Sequence, residues 1–166
     1  MRHPGYRVCF SLIYACGLRC SEAVNLRVEA IDSSRMTIRV VGKGDKERLV
    51  PLPMLLLDAL RAHWKTHCDP TWLFPSPERE GPVRVACAQK AFRRAREQAG
   101  FDGRFTAHSL RHSYATRLLE QGVELRVVQI LLGHAHIQST QVYTHLTTSL
   151  REDVQHTVEE VFARLL

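Results

Sequence analysis

Four stretches of this sequence hold residue types that could work on a phosphate or a metal. The first, Gly17-Leu18-Arg19-Cys20-Ser21-Glu22, sets an arginine at a corner beside an apolar run. A guanidinium fork there suits phosphate oxygens; the competing reading is a structural ion pair with Glu22. The second, His108-Ser109-Leu110-Arg111-His112, places His108, Arg111 and His112 on one helical face, because residues three and four apart are neighbours there. Three readings stand for it: a phosphate site at a helix N-terminus, a zinc helix using His108 and His112, and a capped surface helix. The zinc reading lacks the Glu beside the first His. In the third, Leu131-Leu132-Gly133-His134, the glycine ends a helix and leaves His134 on a turn. Tyr143 follows nine residues later, and by itself reads equally as a half-buried core tyrosine. In the fourth, Lys43 stands between Gly42 and Gly44, which allow close backbone approach. A solvated hairpin lysine fits it as well. A nucleotide-binding P-loop is excluded by spacing.

The elements that must carry these residues are legible from periodicity. Tyr6 to Cys16 is an apolar run long enough for a buried helix. Gly17 interrupts it, and a short helix follows with Ser21 as N-cap and Leu26 near its end. Met36–Val41 and Arg48–Leu52 read as strands joined by the loop of Gly42 to Glu47, a β-hairpin. A short earlier strand around Arg27 to Ile31 is the candidate third member. Helical patterns then dominate. Leu56, Ala59, Leu60, His63 and Trp64 share one face; after a Pro-rich loop, Ala88, Ala91, Phe92, Ala95 and Ala99 share another, opposite Lys90, Arg93, Arg94 and Glu97. A helix is expected from Thr106 as N-cap to Glu120, the next over Leu125–Leu132, and a short one around Ser139–Leu146. A last amphipathic helix carries Val154, Val158, Val161, Phe162 and Leu165. The fold class is therefore mainly α (α+β) with one small antiparallel β-sheet.

The chain of 166 residues is 45% hydrophobic and 24% charged, a balance fitting a single domain with a real core. Lys and Arg exceed Asp and Glu by 23 to 17, and the pI is near 9.4. Such a surplus is the electrostatic footprint of a nucleic-acid binder. The five cysteines show no Cys-x-x-Cys pair, and Cys9, Cys16 and Cys20 read as small reduced core residues. No apolar run reaches membrane-spanning length and the first residues lack a signal-peptide pattern, so a cytoplasmic protein without membrane contact is expected.

Taken together, the four stretches are far more specific than any one of them. Gly-Leu-Arg-x-Ser-Glu, Gly-Lys-Gly-x-Lys-Glu-Arg, His-x-Leu-Arg-His-Ser-x-Ala-Thr, and Leu-Leu-Gly-His before Tyr-Thr-His occur here in that order. This series resembles the tyrosine recombinase, or phage integrase, family from about Tyr6 to Leu146. The resemblance implies six catalytic residues: Arg19, Lys43, His108, Arg111, His134 and Tyr143. Tyr143 would attack a DNA phosphodiester and become a 3′-phosphotyrosine, without metal, cofactor or ATP. Arg19 and Arg111 would hold the non-bridging oxygens, with His134 as a further donor. His108 would assist proton transfer from Tyr143, Lys43 would protonate the leaving 5′-oxygen, and Glu22 would orient the Arg19 region.

Double-stranded DNA is the expected partner. Lys46 and Arg48 of the hairpin, and Lys90, Arg93 and Arg94 of the basic helix, are expected on its backbone; for the helix a solvated basic face is the equal alternative. Residues 1–166 are expected to form one catalytic domain, without the N-terminal helical domain that family members usually carry. The amphipathic segment 150–166 either docks on a neighbouring protomer, as in a tetramer on DNA, or on its own domain. Three other functions compete. They are strand relaxation resembling a type IB topoisomerase, a non-catalytic DNA-binding remnant, and a zinc hydrolase built on His108, His112, His134 and His136.

Overall fold

The computed structural model describes residues 4–42, 47–78, 80–133 and 148–163. Helix α1 spans Pro4–Cys16 and α2 spans Cys20–Val24. A 3-10 turn, Val28–Ala30, leads into a three-stranded antiparallel sheet of β1 (Ile31–Asp32), β2 (Thr37–Val41) and β3 (Glu47–Pro51), in that order. Then follow α3 (Met54–Trp64), α4 (Val85–Gln98), α5 (Ala107–Glu120), α6 (Leu125–Leu132) and α7 (Thr148–Ala163). The mainly helical class with a small antiparallel sheet is as expected. The segment 139–146 expected to be helical lies outside the described residues.

Two apolar clusters make the core. One joins α1, α2, the sheet and α3 through Leu12, Ile13, Val24, Ile38, Val50, Leu56 and Leu60. The other joins α5, α6 and α7 through Tyr114, Leu118, Val127, Ile130, Val154 and Val158. Helix α1 packs on α5 across the seam between them, with the Arg117 guanidinium over the Tyr14 ring at 5.5 Å. Gly17, just past the end of α1, has φ +63°. A Cβ there would lie 2.5 Å from the Tyr114 ring, so only a bare backbone lets α5 this near.

Two details differ from the sequence expectation. Helix α2 starts two residues earlier, with Arg19 rather than Ser21 in the N-cap position. Its cap comes from Glu22, whose Oε2 accepts the Arg19 backbone N–H at 2.7 Å. The carboxylate thus satisfies an amide that a serine at position 21 would leave open. The early strand is also later and shorter, at Ile31–Asp32, because the 3-10 turn occupies Val28–Ala30.

The amphipathic stripe of α7 docks on its own domain. Val154, Val158 and Phe162 are 2%, 1% and 4% exposed against α1, α3 and α5. Of the two arrangements expected for this segment, docking on its own domain is the one that the single chain adopts. Cys9 and Cys16 are buried, and burial pushes both thiols up, so they are inert core residues as expected. Among the described residues no helix is long and apolar enough to cross a membrane.

Candidate active site

The seam between the two clusters holds a knot of three arginines around one carboxylate. Glu22, on α2, has a side chain only 6% exposed. Its Oε1 accepts from Arg19 Nη1 at 2.7 Å and from Arg48 Nη1 at 3.0 Å; its Oε2 accepts from Arg48 Nη2 at 2.7 Å. Arg111, on α5, stands with Nη1 3.8 Å from Oε2. Burial pushes the Glu22 carboxyl up. The hydrogen bonds and charge of Arg48, then the bonds from Arg19, outweigh it and bring it down to about 2.

Both buried arginines also hold the end of α6. Arg48 Nε donates to Leu131 O at 2.8 Å, and Arg111 Nη2 donates to Leu132 O at 2.5 Å. These carbonyls lie in the last turn of α6, where backbone acceptors have no partner within the helix and the helix dipole favours cations. Gly133 then turns left-handed, with φ 65°. Arg111 Nη1 also donates to Gly17 O, so α5, the end of α1 and the end of α6 meet on one guanidinium.

Charge in this knot does not balance. Three guanidiniums share one carboxylate, which leaves a surplus of two positive charges among the described residues. Arg111 feels it: burial first, then repulsion from Arg19 and Arg48, lowers its pKa to about 10. The Arg19 side chain is 40% exposed and gives this surplus an outlet to solvent. A buried excess of like charge is costly unless an anion completes it. An oxyanion reaching Arg19 from solvent would supply the balancing charge.

Comparison with known proteins agrees with this chemistry. The model of the phage integrase family matches residues 4–149. The chain belongs to the phage integrase family. Tyrosine recombinase XerC of Halalkalibacterium halodurans is 41% identical over 162 residues, covering 91% of this chain and 53% of that protein. Tyrosine recombinase XerD of Corynebacterium glutamicum is 39% identical over 157 residues, 88% of this chain and 50% of that protein. Among solved structures, the integrase from mycobacterium phage Brujita superposes with a TM-score of 0.77 at 27% identity, over 100% of this chain and 58% of its own. The XerH site-specific recombinase bound to its difH substrate, in a pre-cleavage complex, gives 0.72 at 28% identity, over 90% and 46%. The chain spans about half the length of the curated relatives it matches.

Of the six residues assigned by resemblance to the phage integrase family, the structure brings Arg19 and Arg111 together through Glu22. His108 is exposed on the first turn of α5, three residues before Arg111 and on the same face. The start of α5 is fixed by Thr106, whose N–H donates to Ser109 Oγ at 3.1 Å. Arg96 Nη1 holds the loop before it by donating to Gly103 O at 2.7 Å and Phe105 O at 3.1 Å. Lys43, Lys46, His134 and Tyr143 lie outside the described residues; Gly42 and Gly133 are the described neighbours of Lys43 and His134. Lys90, Arg93 and Arg94 are exposed on α4. His136 also lies outside the described residues, among which no three metal-ligating side chains cluster.

Arg48 is the correction. The sequence places it on the DNA backbone, but it is 2% exposed and committed to Glu22 and Leu131 O. So deeply buried, it is no surface group for DNA to meet. Strand parity carried the signal: Arg48 lies two residues from Val50, and both face the core side of β3 opposite Val40 and Ile38. A charged residue on the buried face of a strand implies a buried partner.

Proposed function

We propose that this chain is the catalytic part of a site-specific DNA recombinase. The observation that carries the reading is the positive surplus around Glu22, opened to solvent through Arg19, in a member of the phage integrase family. A scissile phosphodiester is the anion that would complete it. Relatives of matching fold are site-specific recombinases bound to their DNA before and after cleavage.

In this reading the Tyr143 hydroxyl oxygen attacks the phosphorus. The P–O5′ bond breaks, and a 3′-phosphotyrosine remains. The hydroxyl proton passes by way of His108, while Lys43 delivers a proton to the departing 5′-oxygen. Arg19, Arg111 and His134 hold the two non-bridging oxygens as charge grows on them; preorganised donors of this kind contribute about 3–4 kcal/mol each. Glu22 keeps Arg19 in place. The 5′-hydroxyl of a second strand then attacks the phosphotyrosine, restoring Tyr143 and completing the exchange. Phosphoester bonds are conserved throughout, so no nucleotide hydrolysis is needed. Lys46, Lys90, Arg93 and Arg94 would rest on the DNA backbone. Exchange between two duplexes calls for several copies on DNA, a tetramer that the C-terminal segment would join. The compartment is that of the DNA substrate, the cytoplasm.

The test uses supercoiled plasmid with EDTA and without ATP, quenched with detergent. Wild-type protein is expected to relax the plasmid and to leave protein covalently bound to DNA, and Tyr143→Phe to do neither. Adduct that persists in Tyr143→Phe would sink the assignment of the nucleophile.

A further inference from the structure

Glu22 is full. Each of its oxygens accepts two hydrogen bonds: Oε1 from Arg19 Nη1 and Arg48 Nη1, Oε2 from the Arg19 backbone and Arg48 Nη2, all between 2.7 and 3.0 Å. A carboxylate has about four acceptor positions, so none remains for a third guanidinium. Arg111 shows the consequence. Its Nη1 is 3.8 Å from Oε2, near enough for attraction but too far for a hydrogen bond, and its donors go to the carbonyls of Gly17 and Leu132 instead. Two of its five N–H groups are used in that way, and the other three meet no acceptor among the described residues.

We propose that Arg48 is a positioning residue that saturates Glu22 and so keeps Arg111, and the outer edge of Arg19, available to a tetrahedral oxyanion. Only the identity of that anion, a DNA phosphodiester, rests on the function proposed above. Withdrawing Arg48 would vacate one acceptor position on each oxygen. Arg111 needs to move only about 1 Å to reach hydrogen-bond distance. A buried charge-assisted bond is then strong enough to capture it. The captured guanidinium turns from the anion toward the carboxylate. Arginine is required at position 48 because one planar fork must meet both oxygens while Nε reaches Leu131 O; an ammonium is a single point donor. The path of the side chain depends on Gly133, where a Cβ would lie 3.0 Å from Arg48 Cδ.

The experiment is a titration of the full chain with tungstate, a tetrahedral dianion, followed by arginine Nε–H shifts. Arg48→Lys keeps the net charge of the knot, so simple electrostatics predicts no change. Saturation predicts a loss of about tenfold in affinity, the equivalent of one weakened hydrogen bond. The pair Glu22→Gln with Arg48→Met removes both the trap and its stopper and is expected to bind at least tenfold more tightly than Arg48→Lys alone. A methionine side chain makes none of the bonds of Arg48, so a merely structural role for Arg48 predicts that the pair binds no better. Should Arg48→Lys not fold, the pair against wild type decides: affinity within tenfold supports the proposal, and loss of binding overturns it. Wild-type affinity in Arg48→Lys, or no tungstate binding by the wild type at millimolar concentration, also overturns it. A wild type that binds tungstate but leaves plasmid untouched sinks the recombinase reading and not this one.

Discussion

Glu22 is the residue on which the site turns, and its titration is visible from outside. Its folded carboxyl sits at about 2, against 4.5 unfolded. The folded state therefore holds the proton more weakly than the unfolded state. Stability from this group is complete above pH 4.5 and is lost as pH falls toward 2, by about 3 kcal/mol in all. Urea unfolding at a series of pH values should show this slope, and Glu22→Gln should flatten it. That substitution should also cost about 3–5 kcal/mol at pH 7, because it leaves Arg48 and Arg111 buried without a carboxylate. A Glu22→Gln protein as stable as wild type would mean the knot is not closed in solution. The ion pair of Arg19 with Glu22 was legible as one of the two readings of its motif, while phosphate binding by Arg19 and Arg111 was implied by the family resemblance. Arg48 was not legible, since a guanidinium just past a hairpin loop looks like a surface group until its strand parity is matched to a partner from α2.

At the scale of elements, the site depends on how closely α1 and α5 approach and on what closes the second cluster. Gly17 sets the first. Gly17→Ala meets the Tyr114 ring at 2.5 Å and places a side chain at φ +63°. The cost should be about 2 kcal/mol or more in thermal or urea unfolding, from strain and forced repacking together. The Gly17 carbonyl would move with its backbone, so tungstate affinity should fall alongside stability. Helix α7 sets the second through Val154 and Val158. Phe162, 4% exposed, anchors the C-terminal half of the same helix on the first cluster, and Phe162→Ala should cost about 3–5 kcal/mol. The apparent mass in solution should not change, because the stripe binds in cis; a shift in oligomeric state would point to the trans arrangement. Helix ends were readable where one residue decides them, as at Thr106 and Gly133. The start of α2 was not, because its cap is a carboxylate three residues inward.

For the whole molecule, the formal charge of +6 is the quantity that reaches furthest. It predicts DNA affinity that falls steeply with salt. If the exposed face of α4 rests on phosphates, changing Lys90, Arg93 and Arg94 together to Ala should lower the slope of log affinity against log salt. The drop should be about 0.9 for each phosphate that no longer meets a cation. Fluorescence anisotropy with a random duplex at several salt concentrations measures it. An unchanged slope would assign this face to solvent. None of the three touches the Glu22 knot, so folding and tungstate binding should be unaffected.

The sequence by itself determined the elements and the chemistry available to them, because periodicity, caps and turn residues act over a few positions. It also determined the family, through motifs whose order and spacing survive without any knowledge of tertiary packing. What only the tertiary structure decided is which charges meet. Arg19 and Glu22 are three residues apart, but Arg48 reaches Glu22 across 26 positions and Leu131 across 83, while Arg111 reaches Gly17 across 94. Burial turned Arg48 from an expected DNA ligand into a structural cation and left the knot with its surplus of positive charge. Both follow from desolvation, which depends on where the chain packs and not on which residues are neighbours along it.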